Sequence, residues 1–194
     1  MLKLMRYVLP LFIIIPVFIT CQKDLPTEAI PTENILDPQV VLNQVSLDSL
    51  SQQVSILSGE HPFVINDTFV TIAGRYSFDP GNALSAIYLE RKLLTYNLEV
   101  HFLDFSSTGR NVYTVQYGED KPDEYYIIGA HYDSLPDSSI SPGADDNASG
   151  CATVMESARI LSQYKSRYSV IYAFWDEEEQ GLRGSSSYAS RAAQ

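Results

Sequence analysis

The sequence predicts an α/β domain, and three observations predict it. Two apolar runs, Tyr125 to Ala130 and Val170 to Trp175, have the length of buried strands. A stretch of helical periodicity after Asn147 separates them. Both runs end abruptly in histidine or carboxylates. A continuous apolar run of about six residues suits a strand covered on both faces, as in parallel sheets. Strand, helix and strand in that order give a right-handed crossover. In open α/β sheets, ligands collect beyond the carboxyl ends of the strands. The first run ends in His131 and Asp133, and the second in Asp176, Glu177, Glu178 and Glu179. Asp145, Asp146 and Asn147 open the helix between them. Three separate segments therefore deliver ligand-type side chains to one edge.

The 194 residues suffice for one α/β domain. A net charge of −11 and a pI near 4.5 argue against a nucleic-acid partner, which needs clustered Lys and Arg. Residues 1–20 read as a targeting segment. Lys3 and Arg6 precede an apolar run, Leu9 to Ile19, that is too short to span a bilayer. Phe18-Ile19-Thr20-Cys21 resembles the lipobox of bacterial lipoproteins, although Gly or Ala is usual where Thr20 stands. The expectation is export to a bacterial cell envelope with a membrane anchor through lipidation at Cys21. Ordinary secretion with Cys21 removed or idle is the alternative. Residues 21–45, with Pro26, Pro31 and Pro38 among polar residues, read as a linker, and 46–194 as the folded domain.

Within that domain, Leu47, Leu50, Val54 and Leu57 follow helical spacing, and Gly59 and His61-Pro62 end the helix. Residues 63–77 give no clear signal. Asp79 to Asn82 reads as a turn and Ala83 to Tyr96 as a helix. Glu99 to Phe105 and Asn111 to Gln116 read as strands, and 118–124 as a polar turn. Ala148, Cys151, Ala152, Met155, Ala158 and Leu161 form an apolar helix face, which makes Cys151 a buried thiol rather than half of a disulfide. Ser185 to Ala193 begins a further helix. His61 and His101 read as loop and strand-face residues, not ligands.

Histidine, aspartate and glutamate without thiolate select a hard or borderline divalent ion, with zinc foremost. His131 and Asp133 are two apart, so Asp133 can orient the imidazole. Of Glu178 and Glu179, one can bind metal while the other faces a bound water as general base. Each piece has a plainer reading: a polar strand end, a capped helix start, a solvated charge run. Their order, each at an element's end, makes the set specific.

The segments GAHYDS, PGADDNASG and EEQGLRGS resemble the zinc-dependent aminopeptidases related to bacterial leucyl aminopeptidase. The resemblance covers roughly Leu47 to the end. It implies a three-layer zinc-exopeptidase-like domain, a mixed, mostly parallel sheet between helices, and cleavage of the amino-terminal residue from peptides by a di-zinc-activated water. It implies that His131 binds one zinc and Asp133 holds it in place. Asp146, followed by a cis peptide to Asn147, bridges both ions. Glu178 is the general base and Glu179 a ligand of the second zinc. Gly181, Leu182, Arg183 and Gly184 are structural. The pattern also calls for a further Asp and His ligand downstream of Gln194, so the carboxyl-terminal portion is expected to be missing. A single-zinc acyltransferase related to glutaminyl cyclases and a binding module with an incomplete site remain alternatives. Acylation at Cys21 predicts that Cys21→Ser moves the protein from the detergent phase to the aqueous phase, and unchanged partition removes the anchor.

Overall fold

The computed structural model describes residues 37–135 and 142–194. The targeting segment, Cys21 and most of the expected linker lie outside the described residues. Where the linker is described it carries a short helix, α1 (Pro38–Leu42). The Asp37 carboxylate accepts the Gln39 N–H at 2.9 Å, and Pro38 occupies the first helical position, where a missing N–H costs nothing.

Helix α2 (Leu47–Leu57) has the bounds that its periodicity predicts. Residues 63–77, unread in the sequence, hold a hairpin of β1 (Phe63–Ile65) and β2 (Thr68–Val70). Asn66 and Asp67 turn it at φ 48° and 61°, a conformation that Asn and Asp tolerate. Helix α3 (Pro80–Leu94) starts earlier than the expected Ala83. The supposed turn is its first turn, because Pro80 presets φ at the first position. Gly81 there lies so close to the Gly74 carbonyl that a Cβ would sit 1.9 Å from it.

The main sheet is built from β3 (Val100–Asp104), β4 (Arg110–Gln116), β5 (Lys121–His131) and β6 (Tyr168–Trp175), in the order β3-β4-β6-β5. Helix α4 (Ser149–Leu161) connects β5 to β6, and these two strands pair in parallel, as the crossover requires. The sheet is mixed, as expected, but not mostly parallel among the described residues. β3 with β4 and β4 with β6 run antiparallel. The reason is the short link 105–109, which can only return the chain as a hairpin. β5 is also longer than its apolar run. It starts at Lys121 with a register shift before Tyr125, so that most of the expected polar turn is strand.

One sheet face carries Val112, Tyr172, Phe174 and Ala130, packed with Val154, Met155 and Ala158 of α4 and with Leu89 and Leu93 of α3. Burying each large side chain there contributes about 1.5–3 kcal/mol. The other face is covered by α5 (Arg183–Ala192), whose Tyr188 ring lies 5.3 Å from Tyr113 and 4.9 Å from Trp175. β6 is therefore covered on both sides. The β5 run is not: Tyr125, Tyr126 and Ile127 are exposed, because β5 has a pairing strand on one side only among the described residues. No helix among these residues is long and apolar enough to cross a membrane.

The start of α2 is tied to α4. The buried Glu156 carboxylate accepts the Ser46 N–H at 2.8 Å, the Ser49 hydroxyl at 2.9 Å and Arg159 at 2.7 Å. Arg159 also donates to the Gln44 carbonyl at 2.6 Å. Arg159 first, then the Ser46 N–H and Ser49, outweigh burial and hold the Glu156 carboxyl at about 2, below its ordinary 4.5. A depressed carboxyl stabilises the fold fully above its unfolded value and loses that contribution as pH falls through the folded one. Glu156→Gln is expected to lower the unfolding free energy by about 1.5–3 kcal/mol at neutral pH. In urea titrations the gap from the parent should narrow as pH falls from 4.5 toward 2. A gap independent of pH would remove the charge from this account.

Candidate metal centre

The carboxyl ends of β5 and β6 meet through Asp133. The parallel register sets His131 opposite Trp175, so the residues after each end are neighbours. The Asp133 carboxylate is fully buried and accepts two backbone N–H groups, Glu178 at 3.1 Å and Glu179 at 3.1 Å. Its Oδ1 also lies 3.3 Å from Nδ1 of His131. With Nδ1–H turned toward Asp133, the imidazole presents Nε2 to the open side.

His131, Glu178 and Glu179 offer ligand atoms that all lie within 4.8 Å of one another. Asp146 comes from a kinked turn, Ala144–Ala148, that leads into α4 and is non-helical at Asp146 and Asn147. Its Oδ1 is 3.0 Å from Nε2 of His131, and its side chain is 75% exposed. The peptide between Asp146 and Asn147 is cis. The Asn147 side chain accepts the Gly150 N–H at 2.9 Å and so starts the regular helix. The structure thus brings together the five residues expected at the metal site: His131, Asp133, Asp146, Glu178 and Glu179. His61 stays exposed in its loop, and His101 stacks at 5.3 Å on Tyr113.

The electrostatics of this cluster call for a cation. The Nε2 lone pair and the Asp146 carboxylate are both acceptors, so only a proton or a metal ion between them makes the contact favourable. Burial opposes a charged His131, yet Asp133, Glu178 and Asp146 together raise it above its ordinary value. Burial raises the Glu179 carboxyl, and Asp146, Glu178 and Asp133 add to that against His131. One imidazole and several carboxylates suit a divalent ion such as zinc.

The third glutamate of the triplet does something else. Glu177 is fully buried at φ 53° and points away from its two successors. Its carboxylate accepts the Thr108 hydroxyl at 2.7 Å and pairs with Arg183 at 2.6 Å. The preceding Asp176 accepts Asn82 at 2.8 Å, the Arg110 N–H at 3.0 Å and the Glu177 N–H at 2.9 Å. Gly184 closes the turn so tightly that a Cβ would sit 2.3 Å from the Asp176 carbonyl. These contacts hold the strained left-handed Glu177, which aims Glu178 and Glu179 outward. The sequence reading missed Asn82, Ser106, Thr108 and Arg75 (Ser106 also reaches Glu177, at 3.3 Å). Only the Ser-Ser-Thr-Gly run at 106–109, typical of a hydrogen-bonding turn, offered a signal.

Replacing Arg183 by Met leaves the Glu177 carboxylate buried without its cation. The urea midpoint should fall by the equivalent of about 1–3 kcal/mol. An unchanged midpoint would show that the hydroxyls alone hold Glu177.

Known proteins resemble this chain in sequence and in fold. Residues 111–194 match the model of Peptidase family M28, a narrower span than the Leu47 start read from the motifs. A probable zinc metalloprotease of Pyrenophora tritici-repentis is 42% identical over 77 residues, 37% of this chain and 18% of that protein. Aminopeptidase YwaD of Bacillus subtilis is 41% identical over 73 residues, 38% of this chain and 15% of that protein. The aligned part therefore spans less than a fifth of either relative. The crystal structure of LapA from Legionella pneumophila superposes with a TM-score of 0.66 at 22% identity, over 81% of this chain and 44% of that one. Residues 111–194 thus match Peptidase family M28, and the α/β fold is similar to that of LapA.

Proposed function

We propose that this chain carries the metal-binding part of a zinc-dependent aminopeptidase that removes the amino-terminal residue of peptides. The observation that carries the reading is the convergence of His131, Glu178 and Glu179 within 4.8 Å at two adjoining strand ends. The kinship with a zinc metalloprotease and an aminopeptidase gives that convergence its chemistry. In this reading residues 46–194 are the catalytic domain. His131, Asp146 and Glu179 would hold the two zinc ions that this reading expects. Bound zinc would lower the pKa of a bound water and polarise the scissile carbonyl. Asp133 keeps Nδ1–H of His131 in place and, through the two N–H groups it accepts, fixes where Glu178 and Glu179 stand. Glu178, one third exposed, takes the proton of the attacking water and hands it to the leaving amine. The exposed Asp146 and Glu178 also give a substrate's charged amino group a negative surround.

Lipidation of Cys21 and a place in a bacterial cell envelope belong to the same reading, with peptide amino termini as substrate and no nucleic acid. Their support is the sequence of the first twenty-one residues. The acyltransferase alternative draws nothing from the two curated relatives, and the incomplete binding module has no structural observation in its favour.

The test is hydrolysis of an aminoacyl-p-nitroanilide by protein purified from its source, with and without a zinc chelator. Chelation should abolish turnover and added zinc restore it. Glu178→Gln should lower kcat by roughly 10²–10⁴-fold, the size of a general-base contribution, with zinc content unchanged. Turnover that survives Glu178→Gln removes Glu178 as the base, and turnover that survives chelation removes the metal.

A further inference from the structure

Arg75 lies beside the candidate metal centre, fully buried, although its guanidinium keeps its charge more persistently than any other side chain. Among the described residues, its side-chain acceptors are backbone carbonyls. Nε donates to Tyr132 at 2.7 Å, Nη1 to Leu57 at 2.6 Å and to Pro142 at 2.5 Å, and Nη2 to Gly143 at 2.8 Å. No carboxylate among the described residues touches the guanidinium. A buried charge without a contact partner costs several kcal/mol unless opposite charge stands nearby. Burial pulls Arg75 below its ordinary value, while Cys151, Asp133 and Asp146 act against that. Part of its countercharge is thus the acidic site itself.

The partners of Arg75 are informative by position. Tyr132 stands between His131 and Asp133. Pro142 and Gly143 open the loop that delivers Asp146. The Arg75 backbone continues the pattern: its N–H donates to the Ser134 hydroxyl at 3.2 Å, and its carbonyl accepts Asn82 at 3.0 Å. Asn82 in turn binds Asp176 at 2.8 Å, at the root of the turn that carries Glu178 and Glu179. One residue therefore touches, directly or through Asn82, all three segments that supply the site. Gly143 is at φ 47°, and a Cβ on it would meet the Asp146 carbonyl at 2.5 Å, Nη2 of Arg75 at 2.7 Å and the Ser134 Cβ at 2.8 Å. The loop and the guanidinium are fitted to each other.

We propose that Arg75 is the positioning residue of the metal centre: it clamps the Asp146 loop to the end of β5 and so sets the spacing between Asp146 and His131. This rests on the metal reading above. Lysine keeps the charge but cannot span four carbonyls, so the fork, not the charge alone, does the work.

The experiment is metal binding by the full chain, measured for the parent, Arg75→Lys, Arg75→Gln, Gly143→Ala and His131→Ala. Zinc affinity is read by competition with a chromophoric chelator, ligand geometry by the visible spectrum of the cobalt-loaded protein, and folding by circular dichroism. The parent should bind, and His131→Ala should lose binding. Arg75→Lys and Arg75→Gln should both weaken zinc by about 10–100-fold, the effect typical of groups that orient metal ligands, and alter the cobalt bands. If the Arg75 variants do not fold, Gly143→Ala, a local change on the loop side, should show the same weakening and the same spectral change. A folded Arg75→Lys with parental affinity and spectrum overturns the proposal, as does a folded Gly143→Ala with both unchanged. A parent that binds no zinc overturns the metal reading instead, and this proposal with it.

Discussion

The two N–H groups that the Asp133 carboxylate accepts, from Glu178 and Glu179, are the contact on which the site depends. Hydrogen bonds to an ionised acceptor are about twice as strong as neutral ones. Here they join two strand ends far apart in sequence. The same carboxylate faces the imidazole of His131, so one side chain fixes a histidine rotamer and the path of a turn together. The parallel pairing of β5 with β6 makes this possible, because it brings both carboxyl ends to the same edge. Without that pairing the acidic residues would be a solvated run.

The turn after β6 resolves what a run of three glutamates means. Side chains of successive residues in a tight turn diverge, so a triplet cannot act as one charge cluster. Glu177 goes inward to Thr108 and Arg183, and its neighbours go outward to the histidine. The inward member needs a left-handed backbone, which the surrounding contacts impose. Anchoring and outward display are thereby divided between neighbouring residues of one turn.

Much of this was legible in the sequence. The amphipathic patterns of α2 and α4 gave their positions, and the abrupt ends of the apolar runs gave the site, because period and polarity are local properties. The site residues came from ligand type and from a resemblance, and the fold brought all five together. What could not be read is what depends on long-range contact. Arg75 sits in a stretch without period, and its role appears only when Tyr132, Pro142 and Gly143 are in place around it. Asn82 looked like part of a turn because its partner Asp176 is remote in the chain. The antiparallel half of the sheet was missed because strand direction follows from link length and packing, not from the strand's own composition. The exposure of Tyr125 to Ile127 has the same origin: apolar composition signals what a strand can bury, while its neighbours decide what it does bury.

Trp175 closes β6 at the position where the strand passes into the turn, and it is the chain's single tryptophan. Its indole packs over Gly129, where a Cβ would lie 2.9 Å from Nε1, and against the ring of Tyr188. The indole therefore spans β5, β6 and α5 next to the candidate metal centre. Its emission is a single-site optical reporter of that junction. Light absorbed elsewhere in the chain by tyrosine can reach it through Tyr188, so the docking of the last helix is written into the same signal.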